Sequence, residues 1–265
     1  MSSTPNPWWG LRDLNGEGCG RFRLGSLNLW VFQLSREWRL AWTLEGLLAG
    51  ELPEEPQVSW DDEPPPHAEI RRVAVESSEP VVGLWPRLAD RSVVSRPETP
   101  LTLPAQASVD LFVSTPLWLA VESVEPKNVL LEVPTRQLTN TWFGASARDG
   151  ELGYAARTRA RLVLDNQRVS PFRALSKITV RNHDEGALQI ERINLPVRSL
   201  ALFIDKDGGL WTPSLTVESR RDGRPAEVRI EREPPPEAKG AEELCKARDP
   251  EPRNYLARAY NALIG

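Results

Sequence analysis

The chain is poor in the side chains that most often carry chemistry. Its 265 residues hold two His, two Cys and one Met. A zinc centre draws three or four His, Cys or acidic ligands to close spacing. Cys19 and Cys245 stand far apart, with no such spacing around either. The same count excludes a disulfide framework. A lone Cys19–Cys245 bridge stays open, although two Cys in so long a chain fit a reducing compartment. His67 and His183 fall in turn-like stretches, whereas a catalytic His is held in place by a third group. Phosphate-loop, dinucleotide-binding and nucleophile-elbow motifs are missing, so no cofactor or metal is expected. No apolar run approaches the roughly 18 residues of a membrane span, and no transmembrane segment is expected. Residues 1–10 show no basic stretch leading into an apolar one, so no secretory signal is expected.

Excess positive charge is absent too. The formal net charge is −4, whereas a general nucleic-acid binder draws most of its affinity from neutralising phosphates and should be basic. Lys is scarce, with five residues against 28 Arg. Arg makes planar, two-pronged contacts to carboxylate and phosphate that Lys cannot.

What is present is short apolar alternation, cut repeatedly by 24 Pro and 17 Gly. Trp38, Leu40, Trp42 and Leu44 recur at period two, with Arg39, Thr43 and Glu45 on the other side. That is a half-buried strand. With strands expected over 21–24 and 27–34, and turns at Gly25 with Ser26 and at Ser35 with Arg36, the start reads as an antiparallel meander. Further strands are expected over 71–76, 81–85, 108–114, 117–123, 129–133, 157–164, 177–181, 188–195, 200–204, 210–217 and 227–232. About a dozen strands at this spacing predict an all-β chain. The architecture expected is an antiparallel β-sandwich, elongated or two-lobed.

The expected division is an N-terminal β lobe over 1–125 and a C-terminal β lobe over 126–233. A linker follows over 234–251, opened by Pro234, Pro235 and Pro236. Residues 252–265 then form a short amphipathic helix, because Tyr255, Leu256, Ala259, Tyr260 and Leu263 fall at helical spacing. That helix suits either packing on the chain's own core or docking in a partner's groove. Residues 51–69 break the strand pattern. They hold seven acidic residues, no Lys or Arg, and the run Pro64, Pro65 and Pro66. This reads as a long surface loop, either simply solvated or an acidic arm for a basic partner.

Arg157, Arg159 and Arg161 are the main electrostatic signal, since alternation along one strand sends all three to one face. With Arg148 and the arginines downstream, residues 143–185 carry eight basic and five acidic residues, a local +3 against −7 over 51–69. Guanidinium groups stacked in this way repel unless an anion lies between them. It is supplied by a bound phosphate or carboxylate, or by the chain's own acidic loop. Trp142 and Tyr154, on the glycine-marked hairpin leading into these arginines, complete the expected binding set. Asp205, Lys206, Asp207 and Gly208 look like the opening of a calcium loop, but the twelfth position is Thr216 where a Glu ligand is needed. A β-hairpin turn is the better reading.

Several of these segments together resemble the uncharacterised domain-of-unknown-function family 432. The likeness lies in Gly20, Arg21 and Phe22 with the strands up to Glu37, Trp38 and Arg39. It continues through 97–121, with its Pro-Leu-x-Leu-Pro pattern ending in Pro116, Leu117 and Trp118. It is clearest in Trp142, Phe143 and Gly144 followed by Gly150, Gly153 and Tyr154. The family more often shows Leu-Tyr-Gly and Arg-Tyr there, so Trp142, Phe143 and Gly153 depart from it. The resemblance covers roughly residues 8–232 and brings no catalytic residues. Some members are encoded beside mechanosensitive channels, which implies a cytoplasmic partner protein in a channel-associated assembly.

The function expected from all this is a non-enzymatic cytoplasmic binding or assembly module. It would meet an acidic or phosphorylated protein partner through an Arg-rich β face, with self-assembly into a homo-oligomer left open. The alternative is a carbohydrate-binding or carboxylate-dependent glycoside-hydrolysing protein, for which ten Trp supply stacking surface and 37 acidic residues supply carboxylates.

Overall fold

The computed structural model describes residues 8–14, 19–45, 57–59, 63–76, 79–144, 148, 150–158, 160–164, 170–218 and 227–249. The amphipathic helix expected over 252–265 lies outside them. Among the described residues, apart from one three-residue 3-10 turn, Val197–Ser199, the regular structure is all strand. Among the described residues no helix is long and apolar enough to cross a membrane.

Two compact units result, each drawn from separated stretches of chain. The first gathers Met1–Arg87, Leu117–Gln137 and Ser170–Phe172, and the second Leu88–Pro116, Leu138–Val169 and Arg173–Gly265. The division expected at 125/126 falls instead in a turn within the first unit, between the paired strands Trp118–Ser123 and Asn128–Pro134. Local alternation shows where strands are but not which partner each one finds.

The first unit has two antiparallel sheets. One runs in the order Gln57–Ser59, Cys19–Leu24, Leu27–Leu34, Glu37–Leu44, Glu69–Ala74. The other runs Gly10–Asp13, Val81–Arg87, Trp118–Ser123, Asn128–Pro134. The meander read from sequence is therefore present, in register from Leu24 opposite Leu27 to Leu34 opposite Glu37. Gly25 allows its first turn. Its φ is +62°, and a Cβ there would stand 2.8 Å from the Thr135 carbonyl oxygen, which accepts the Ser26 N–H at 2.9 Å. Phe22, Leu24, Leu29, Trp38 and Leu40 are fully buried in one sheet, and Leu84, Leu119 and Val121 in the other. These apolar faces are the core of a sandwich. Part of the acidic 51–69 stretch is strand, because Gln57–Ser59 pairs with residues 21–23.

The second unit centres on the long strand Arg173–Arg181. Ser108–Pro116 lines its whole length antiparallel. On its other side it meets Leu210–Trp211 and then Leu215–Glu218, both parallel. Pro213 separates those two short strands, where sequence suggests one strand over 210–217. A proline has no N–H for the ladder, and the Thr212 hydroxyl bonds the buried Ser176 hydroxyl at 2.8 Å instead. The stretch 188–195 also divides. Leu188–Ile190 pairs with Leu101–Leu103, while Ile193–Leu195 joins a second sheet beside Val93–Pro97. The turn after Leu202–Ile204 is a hairpin turn, as expected. Asp205 Oδ1 accepts from the N–H of Asp207 and of Gly209, and Oδ2 accepts from the Trp211 indole. The carboxylate thus serves the turn.

The stretch expected as a linker, 234–251, is largely part of this unit. Glu242–Cys245 pairs with Leu202–Ile204, and Ala238 is buried with Phe112, Leu175, Phe203 and Trp211. Polar bonds anchor the same stretch, a feature hydropathy does not reveal. Lys177 Nζ bonds Glu237 Oε1 at 2.7 Å and Asp110 Oδ2 at 3.1 Å. The hydrogen bond from the Thr179 hydroxyl, then Lys177, holds the Asp110 carboxyl below its ordinary 3.8. The hydrogen bond to Glu237, then Asp110, holds the Lys177 ammonium above 10.5.

Both shifts set a sign for pH dependence. Asp110 binds its proton more weakly folded than unfolded, so its contribution is complete at neutral pH and is lost as pH falls through the lowered value. The Lys177 contribution is complete below 10.5 and is lost as pH climbs through the raised value. Melting temperature is therefore expected to fall in acid below pH 3.8, and Asp110→Asn should flatten that limb. An identical acid slope in wild type and variant would remove Asp110 from the account.

Candidate functional site

The strand Gly150–Thr158 forms a hairpin with Thr139–Gly144 and runs parallel to Val93–Pro97. The parallel register sets Arg157 directly beside Arg96. Adjacent strands lie about 4.8 Å apart, and directly paired residues send their side chains to the same face. Two guanidinium groups therefore stand side by side, both exposed. Neither has an ion-pair partner among the described residues. Such a like-charge pair costs stability where it stands.

Glu151 on that face is already engaged. Glu151 Oε1 accepts the Asn194 amide at 2.6 Å. The same face carries the buried Phe143, opposite Glu151 in register, and the Arg192 guanidinium lies 5.2 Å from the Phe143 ring centre. Arg96, Arg157 and Arg192 thus make a positive surface on which the Glu151 carboxylate is held by a hydrogen bond.

The sequence-expected set does not assemble as a single row. The strand ends at Thr158, and Ala160 takes a φ of +44°, which breaks the alternation assumed over 157–164. Arg161 rejoins a different strand, exchanging backbone hydrogen bonds with Phe112 at 2.8 and 3.1 Å, and its residue is half-buried. Arg159 lies outside the described residues. Arg148 is exposed near the turn of the hairpin.

Trp142 and Tyr154 belong to the opposite face from Arg157. Trp142 faces Leu152 in register, and the two are 44% and 47% exposed, an apolar pair on the hairpin surface. The Trp142 indole lies over Gly150, where a Cβ would come within 2.7 Å of its nitrogen. Tyr154 is half-buried and donates to Asp90 Oδ1 at 2.9 Å, with the Arg91 guanidinium 5.5 Å from its ring centre. Burial, then Asp90, pushes its phenol up from the ordinary 10.0. Near it Arg198 bonds Asp249 and the Asp90 carbonyl, while Arg248 bonds the Leu88 carbonyl. Tyr154 therefore shares Asp90 with Arg198, the residue that holds Asp249.

Sequence reasoning passed over Arg96 and Arg173. Arg96 is a lone Arg between Ser95 and Pro97, and only a parallel pairing across some 60 residues of chain makes it Arg157's neighbour. Arg173 counted only as charge in the sequence. It acts as a clasp, bonding the Ser114 hydroxyl at 3.0 Å, the Ser114 carbonyl at 2.7 Å and the Arg157 carbonyl at 3.0 Å. That last bond holds the backbone under the exposed Arg157 side chain.

The first unit carries a groove of about 660 Å³ whose lining includes Trp30, Trp42, Glu45, Glu63, His67 and Glu69. Trp30 is opposite Ala41 and Trp42 opposite Leu29, so alternation sends the two rings to opposite faces of the sheet and they cannot clamp one ligand. Trp30 is 3% exposed, with the Arg21 guanidinium 5.1 Å from its ring centre. Glu45 is engaged by Asn28 at 2.8 Å and Arg23 at 3.4 Å. His183 is exposed, 3.9 Å from Glu218. No cluster of three or more His, Cys, Asp or Glu among the described residues is arranged to hold a metal, and neither Cys19 nor Cys245 is in a disulfide.

No curated protein matches the chain, and no solved structure matches it. The family described as protein of unknown function (DUF432) matches residues 8–264, nearly the whole length, and the chain belongs to that family.

Proposed function

We propose that this protein is a non-enzymatic binding or assembly module of the cytoplasm that captures an acidic or phosphorylated protein partner through the Arg96–Arg157 surface. A channel-associated assembly is the setting that the family resemblance implies. The observation carrying the reading is the in-register guanidinium pair, exposed and without a counter-ion among the described residues. A carboxylate or phosphate between two guanidiniums relieves their repulsion and gains charge-assisted, two-pronged hydrogen bonds. Arg173 fixes the strand from below, so little backbone ordering is needed at binding. The groove in the first unit favours the carbohydrate alternative less, because its two Trp rings point to opposite faces and Glu45 is engaged.

The test is binding of a fluorescent oligoglutamate peptide and a doubly phosphorylated peptide. Arg96→Glu with Arg157→Glu is expected to weaken capture by about tenfold or more, with an unchanged circular dichroism spectrum. Raised salt should weaken wild-type binding, since exposed charges are screened. Equal affinity for wild type and variant would overturn the reading, and so would turnover of a glycan by the purified chain.

A further inference from the structure

Resting on that reading, we infer that an acidic partner of the Arg96–Arg157 pair is a second copy of this chain, which contributes its 51–69 segment. Those residues carry seven carboxylates and no Lys or Arg, against the surface formed by Arg96, Arg157 and Arg192. The two charge blocks are complementary, and one chain carries both. Glu63 and Glu69 are exposed, and neither has an ion-pair partner among the described residues. Described parts of the segment lie at sheet edges. Gln57–Ser59 is one outer strand of the five-stranded sheet and Glu69–Ala74 the other. Edge strands are open to approach by another chain. Each of these outer strands carries an exposed apolar side chain, Val58 at 46% and Ile70 at 61%. They supply contact area that pure charge attraction lacks.

The acidic residues of 51–69 and the arginines are far apart in the chain and belong to separate compact units. The contact is charge-led and small in apolar area, so it forms quickly, dissociates quickly and responds to salt. Reading one patch against a different patch makes it a heterologous contact, which can close into rings or extend.

Sedimentation velocity on the full chain, in a concentration series up to about 0.2 mM at low and high salt, tests this. The wild type is expected to sediment faster as concentration rises in low salt, and to lose that dependence in high salt. Arg96→Glu with Arg157→Glu should abolish self-association, as should Glu63→Arg with Glu69→Arg. An equimolar mixture of these two variants should restore it, because each keeps one native half of the contact. A wild type that stays monomeric throughout the low-salt series overturns the inference, as do variants that associate as well as wild type or a mixture that restores nothing. The peptide assay separates the two ideas. Peptide capture without self-association leaves the proposed function standing and removes only the second copy. Failure of both removes the guanidinium surface itself.

Discussion

Trp38→Ala is expected to cost about 3–5 kcal/mol of folding free energy. Trp38 is 0% exposed and is the largest of the fully buried side chains. Its strand, Glu37–Leu44, is flanked by Leu27–Leu34 on one side and Glu69–Ala74 on the other, so the surroundings cannot easily collapse into the space left. A loss of that size is a large share of the 5–15 kcal/mol that holds a typical domain together. The Trp38 indole N–H is also buried without a hydrogen-bond partner. An unpartnered buried donor carries a desolvation cost of about 1–3 kcal/mol. Trp38→Phe removes that donor while keeping most of the ring, and should cost much less than Trp38→Ala. Urea unfolding of both variants checks this. Equal losses for Phe and Ala would show that the indole is satisfied in solution and that ring size does not govern the site.

Arg87→Leu is expected to destabilise the first unit by about 3 kcal/mol, near the low end for breaking a buried ion pair. Its partner Glu122 is 5% exposed. Arg87 Nη2 lies 3.3 Å from Glu122 Oε1 and Lys127 Nζ 3.6 Å from Oε2. Removing Arg87 leaves a buried carboxylate with one exposed lysine, which offsets part of the loss. The double change Arg87→Leu with Glu122→Leu should recover most of the stability, because neither charge then needs desolvating. Arg87 is opposite Trp118 and Glu122 is opposite Gly83, so both side chains leave the same face of this strand pair four register positions apart and meet at 3.3 Å, and the effects are expected to be non-additive. A double variant as unstable as the sum of the two single variants would show that the pair does not act as a unit.

The candidate site separates what a linear reading can and cannot reach. Glycines marked the hairpin that Thr139–Gly144 and Gly150–Thr158 form. Alternation over the strand expected at 157–164 turned Arg157 outward, and Arg157 is exposed, although its strand ends at Thr158. It could not reveal that Ala160 turns the chain with a positive φ, because that angle is set by where Arg161 must go to reach Phe112. Nor could it pair Arg157 with Arg96. A parallel ladder needs a crossover connection, and here the chain between residues 97 and 150 passes through strands of both units before returning. The linker read at 234–251 shows the same limit. Proline and charge density mark it as extended. Its attachment rests on Ala238 and on Glu237 meeting Lys177, contacts with no periodic signature.

Side-chain period, proline and glycine spacing and the shortage of His and Cys were enough to specify strands, turns and the lack of a recognisable catalytic motif, since each acts within a few residues of its own position. Which strands meet, which arginines share a face, and where the chain changes sheet depended on the assembled fold. Those choices follow from how buried faces match over long loops, and the free-energy differences that select them exist only once the partners are in contact.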